Sequence, residues 1–208
     1  MTREEALKLL KENLSNQKPK LPCNGSEGED EGKPRRGQTS SPLIKHCLAV
    51  EAIMRALACY FGQDEEKWGL AGLLHDIDYE KTKGDPTQHS LVGAKMLEDL
   101  GIDKDICQAV KVHNEAHGIP PQTLIEKALF VVDPLTGLIV AAALVLPSKK
   151  LNDLTPENVL NRFEEKAFAR GANREIIKKC EEYLNLSLED FIKIGLAAMQ
   201  QIAGELGL

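Results

Sequence analysis

Gly69-Leu70-Ala71-Gly72-Leu73-Leu74-His75-Asp76-Ile77-Asp78 is an apolar run that closes on an imidazole and two carboxylates. Its spacing predicts a helix from about Asp64 to Asp76, with His75 on the same face as Trp68, Ala71 and Gly72 and therefore turned toward a core. Neighbouring residues on a helix diverge by about 100°. His75 and Asp76 can therefore reach one point only at a helix end, where the chain turns.

The other histidines repeat the pattern. All five lie between positions 46 and 117. On helical periodicity His46 shares a face with Val50, Ile53 and Leu57, His89 with Val92, Gly93 and Met96, and His113 with Ile106, Ala109 and Val110. Four inward imidazoles without partners would cost several kcal/mol in desolvation, so a shared partner is expected. A divalent metal is that partner, since it binds neutral imidazole and also takes carboxylate oxygen. Asp76 supplies one carboxylate. Asp133 supplies another, because it stands inside the apolar stretch Ala128 to Leu146, where an unpaired acid would be heavily penalised. That stretch is near the length a bilayer needs, but a span would bury Asp133 near its middle, so a core helix is expected and no membrane partner.

The rest of the chain frames these residues. Its 208 residues allow one sizeable domain with an appendage, and a net charge of −6 argues against general binding to nucleic acid or anionic lipid. With five Phe, three Tyr and one Trp, the core must be aliphatic, the usual material of helix packing. No window alternates with period two long enough for a strand, so an all-α fold is expected. The five cysteines form no CxxC pair and Met1-Thr2-Arg3 opens no secretion signal, which fits reduced thiols and a cytoplasmic location. Residues 1–14 read as a capped helix. Residues 15–41 are rich in Pro, Gly, Ser and acids and read as a flexible insertion, 42–146 as the metal-binding core, and 147–208 as a C-terminal helical extension packed on that core. Within the core, Ser41-Pro42 opens a helix to about Phe61, Asp85-Pro86 one to Leu100, and Asp103 one to Ala116; beyond it, Arg174 to Leu184 reads as one helix.

A histidine, then a His-Asp dipeptide, then a distant Asp on helices resembles the HD superfamily of metal-dependent phosphohydrolases. The matching stretches are His46 to Glu51, Gly69 to Asp78 and Phe130 to Asp133. The resemblance spans about Pro42 to Leu146. It implies an HD helical bundle, with His46, His75, Asp76 and Asp133 around one ion. Gln88 to Ala94 and Ala109 to Asn114 resemble the extra histidine segments of two-metal HD proteins. That likeness would give His89 and His113 a second ion, with Asp76 bridging. The run after Asp133 resembles that of small uncharacterised HD proteins.

The expected function is hydrolysis of a nucleotide or other small phosphate ester through a metal-bound hydroxide. Two ions over two carboxylates would leave a cationic pocket suited to phosphate. Histidine-rich ligation favours iron or manganese, or cobalt or nickel, over magnesium and calcium. Asp76 and Asp78 are the candidate catalytic acids, Asp78 as a group orienting the water or donating a proton, a role Glu80 could share. Lys149, Arg170 and Arg174 could form a phosphate-binding arm, with a charged helix face beside Glu164 and Glu165 as the alternative. His117 reads as a pocket-rim or helix-capping residue. Two other functions fit the same ligands, a di-iron oxygenase and a non-catalytic ligand-sensing module. A homodimer is the expected assembly.

Overall fold

The computed structural model describes residues 1–14 and 42–208. The insertion expected at 15–41 and the cap expected at Ser41 lie outside the described residues. Among those described there is no strand, and the fold is all-α.

Helix α1 (Arg3–Leu14) opens on the capping box legible in the sequence: Glu5 N donates to Thr2 Oγ1 at 3.2 Å, and Thr2 N to Glu5 Oε2 at 2.8 Å. Its buried face is Ala6, Leu10 and Leu14. A buried carboxylate ties it to α2 (Pro42–Phe61). Arg3 grips both oxygens of Glu51 at 2.7 and 3.0 Å, and Arg55 adds a bond at 2.9 Å. A short turn leads to α3 (Glu65–Leu74), capped by Asp64, whose Oδ1 accepts from Lys67 N.

Helices α2 and α3 approach closely because Gly72 has no side chain. A Cβ there would lie 2.9 Å from Glu51 Cα and 3.0 Å from Glu51 N, which are backbone atoms with no freedom to swing aside. Gly72→Ala is therefore expected to push the two helices apart and destabilise the chain by about 1–3 kcal/mol, a fall in Tm of about 3–10 °C. A melting curve by circular dichroism checks this, and an unchanged Tm would contradict the close approach.

The chain continues through α4 (Tyr79–Thr82), α5 (Leu91–Asp99), α6 (Lys104–Val112) and a 3₁₀ turn (Glu115–His117) into α7 (Leu124–Leu144). Helix α7 is long and apolar enough to cross a membrane by length and composition, but it forms the core, packed against α2, α3 and α6. Its other neighbours are α8 (Pro156–Glu164), α9 (Arg174–Lys178), α10 (Cys180–Leu184) and α11 (Leu188–Gln201), and a last turn, α12 (Ala203–Leu206), rests on α2. Pro134 within α7 has no N–H, which releases the Phe130 carbonyl from the helical ladder one residue after Asp133.

Three boundaries differ from the sequence expectation. The helix expected from Pro86 starts at Leu91, because Ser90 takes φ 71° and gives its N–H to the Asp78 carboxylate. The helix expected to run to Ala116 ends at Val112, where Asn114 caps the 3₁₀ turn by accepting from Ala116 N. The helix expected across 174–184 divides at Lys179.

Candidate metal centre

A helix leaves its last carbonyls without partners, and two histidines use this. His75 follows α3 and directs Nδ1 at the Gly72 carbonyl at 2.8 Å; His113 follows α6 and directs Nδ1 at the Val110 carbonyl at 2.7 Å. A carbonyl can only accept, so the proton sits on Nδ1 in both rings and each Nε2 lone pair points away from its helix end. His75 is fully buried, and burial pulls its pKa down to about 4. It stays neutral at physiological pH, the form that ligates a metal.

The other two rings are oriented by side chains. His46, on α2, has Nδ1 3.0 Å from Thr136 Oγ1, and that hydroxyl donates its own proton to the Asp133 carbonyl at 2.9 Å. Thr136 therefore accepts from the ring. His89 has Nδ1 3.0 Å from Asp78 Oδ1. The other oxygen of Asp78 accepts from Ser90 N and Gly93 N, both at 2.9 Å, and Asp78 itself is wholly buried. A Cβ at Gly93 would crowd that carboxylate at 3.1 Å, so the missing side chain is part of the arrangement.

With each Nδ1 engaged, the four Nε2 atoms meet around two carboxylates. Asp76 Oδ1 lies 3.2 Å from His89 Nε2, 3.5 Å from His75 Nε2 and 3.6 Å from His113 Nε2. Asp133 Oδ1 lies 3.0 Å from His46 Nε2 and 3.8 Å from His75 Nε2. Burial alone would raise the pKa of Asp76, but the surrounding imidazoles hold it well below the usual carboxylate range. Burial would likewise depress His89, yet its bonds to Asp76 and Asp78 carry it up to about 10. The donor set fits divalent ions: His46, His75 and Asp76 form one group, Asp76, His89 and His113 another, and His75, His113 and Asp133 a third that overlaps both, each with ligand atoms within 4.8 Å of one another. Asp76 belongs to two of the three.

A cavity of about 520 Å³ opens on this centre. His46, His89, His113 and Asp133 form its floor. Phe130 and Ile176 give it an apolar side, and Asn173 joins from the C-terminal extension, where its Nδ2 donates to Glu115 at 3.1 Å. No Lys or Arg lines it among the described residues.

Several expected site residues lie elsewhere. Asp78 does not line the cavity, since both its oxygens are occupied behind His89, where it orients that ring. The phosphate arm does not form. Arg174 is spent on main-chain carbonyls, donating to Phe163 and Phe168 at 2.6 Å and to Glu165 at 3.0 Å, and neither Lys149 nor Arg170 lines the cavity. His117 is neither ligand nor rim: its Nε2 donates to the His89 carbonyl at 2.7 Å and braces that loop. Thr136, Asn173 and Glu115 were not singled out in the sequence. Only Thr136 carried a signal there, as a polar residue three positions after Asp133 in an apolar helix.

The family model of the HD domain matches residues 43–138, the stretch that carries every imidazole and carboxylate of the centre. The chain belongs to the HD family. HD proteins form a superfamily of metal-dependent phosphohydrolases. Among curated proteins, ribonuclease Y of Nitratidesulfovibrio vulgaris is 34% identical over 146 residues, 68% of this chain and 27% of that protein. Ribonuclease Y of Lawsonia intracellularis is 30% identical over 139 residues, 64% of this chain and 26% of that protein. An uncharacterized protein of Methanocaldococcus jannaschii is 33% identical over 151 residues, 67% of this chain and 84% of its own length. The chain thus spans about a quarter of the length of these ribonuclease Y relatives. No solved structure matches it. The HD match ends before Ala169, Gly171, Ala172, Asn173 and Ile176, so one wall of the cavity comes from outside the HD domain.

Proposed function

We propose that this chain is a metal-dependent phosphoesterase acting on a nucleotide-sized phosphate ester, with Asp76 shared between two ions, His46, His75 and Asp133 beside one, and His89 and His113 beside the other. The observation that carries this reading is the four-fold orientation of imidazoles, each tied at Nδ1 and aimed by Nε2 at Asp76 or Asp133. Bound divalent ions supply polarisation of the phosphoryl group and a lowered pKa for coordinated water. The histidine-rich donors favour iron or manganese.

The chain's own groups do the rest. Hydrogen bonds at Nδ1 keep the rings in the ligating tautomer. Phe130 and Ile176 provide an apolar side against which the organic part of an ester can lie, while Asn173 offers a polar edge. Because no Lys or Arg among the described residues lines the cavity, the centre itself offsets the phosphate charge in this reading. A second reading, hydrolysis of phosphodiesters within RNA, is favoured by the relatives named ribonuclease Y. The net charge of −6 and the absence of basic lining among the described residues favour a short substrate over a long strand.

Metal addition tests the centre apart from substrate. Chelator-treated protein given Mn²⁺ or Fe²⁺ at about 100 times the dissociation constant is expected to gain about 2.7 kcal/mol, a rise in Tm of about 5–10 °C. A screen of nucleotides, dinucleotides and short RNAs with the loaded protein then ranks the substrates. No Tm shift and no phosphate ester hydrolysed would overturn the reading.

A further inference from the structure

Helix α7 carries a glycine that packing does not require. Gly137 sits well inside the helix, where glycine is a poor residue, and a Cβ added to it would meet no atom within 4 Å. No neighbouring helix needs the space. What lies over Gly137 is open volume on two sides. It lines the catalytic cavity, and it also lines a second cavity of about 300 Å³ between α2, α7 and the C-terminal turn. His46 lines both as well. The two cavities therefore flank the same ridge beside the candidate metal centre, made of one imidazole ring and one residue without a side chain.

The second cavity has its own chemistry. Ala49, Val140, Leu206 and Leu208 make apolar walls, and Lys45 brings the cation that the catalytic cavity lacks. The Lys45 ammonium makes no hydrogen bond or ion pair among the described residues and stands beside Gly207, where an added Cβ would approach it at 2.8 Å. A half-buried ammonium in an apolar cleft is suited to an anionic group on a ligand whose remaining surface is apolar.

We infer that the substrate is a two-armed phosphodiester: its scissile phosphate lies at the metal centre, and one arm crosses Gly137 into the second cavity, where Lys45 binds a terminal phosphate. This rests on the phosphoesterase reading above and narrows it from esters in general to dinucleotide-like diesters. In the reaction, water adds its oxygen to phosphorus, the P–O bond to one arm breaks, and that arm's oxygen takes a proton, giving a phosphomonoester and an alcohol.

The test uses the Mn²⁺-loaded full chain and three probes: the dinucleotide pApA, its unphosphorylated form ApA, and the small diester bis(p-nitrophenyl) phosphate. In Gly137→Leu, the ratio of kcat/KM for pApA to that for the small diester is expected to fall at least about tenfold, because a side chain now stands on that ridge. In Lys45→Met the preference for pApA over ApA is expected to disappear through KM. Both variants should fold, since Gly137→Leu puts a better helix former into open space and Lys45 holds nothing in place; melting curves verify this. If neither ratio moves, or if the variants lose activity on all three probes in parallel while the parent keeps it, the second cavity is no subsite. If the parent hydrolyses none of the three, the phosphoesterase reading falls as well, so the two failures are told apart.

Discussion

Asp76→Asn is expected to strip the centre of bound metal and to lower kcat/KM at least about 10³-fold, the largest effect of any single change in the chain. The substitution keeps the size of the side chain and removes its charge. Asp76 Oδ1 lies within 3.6 Å of three imidazole nitrogens at once, and Oδ2 lies 3.8 Å from the fourth ring, so this carboxylate approaches all four rings. Replacing one oxygen by an amide N–H group turns an acceptor into a donor and leaves Asp133 as the single negative charge among the ligands. Metal content by plasma emission and kcat/KM on the best substrate report the two losses separately. A variant that retains its ions and the parent rate would refute the assignment of Asp76.

Asp78→Ala is expected to cost stability and metal affinity together. Three donors lose their acceptor: the His89 ring, Ser90 N and Gly93 N, in a place closed to water. Leaving buried donors unsatisfied and removing a buried charge costs about 3–5 kcal/mol, a fall in Tm of about 6–20 °C. Loss of the brace on a ligand ring lowers metal affinity or activity by about 10–100-fold. The measurements separate orientation from direct catalysis. An orienting residue shifts the metal titration and leaves the shape of the pH–rate profile, with part of the rate restored at saturating metal. A catalytic acid would remove one limb of the profile and leave metal affinity intact, and that result would return Asp78 to the role first expected of it.

The residues of the centre were legible because burial and charge conflict within local sequence. An imidazole or a carboxylate on an apolar face needs a partner, and helical periodicity alone shows the conflict for His46, His75, His113 and Asp133. His89 does join the cluster, but not for the reason its sequence offered. Its supposed helix does not begin until Leu91, and its direction comes from Asp78, not from the face shared with Val92 and Met96. The orienting groups were hidden because they act across the chain: Thr136 meets His46 over a separation of 90 positions, and Asn173 meets Glu115 over 58. Arg174 misled for the opposite reason. Regular spacing of cations suggested an exposed arm, whereas the loop after α8 folds its carbonyls around the guanidinium.

The sequence by itself determined the helical class, the capping of α1 and the core character of α7, since each follows from forces acting within a turn or two of helix. The tertiary structure alone decided which nitrogen of each ring faces the cluster, which carboxylate braces a ring and which lies among the four rings, and that Gly137 borders two cavities. Those properties depend on hydrogen bonds and voids between helices distant in sequence, and no local pattern encodes where such helices come to rest.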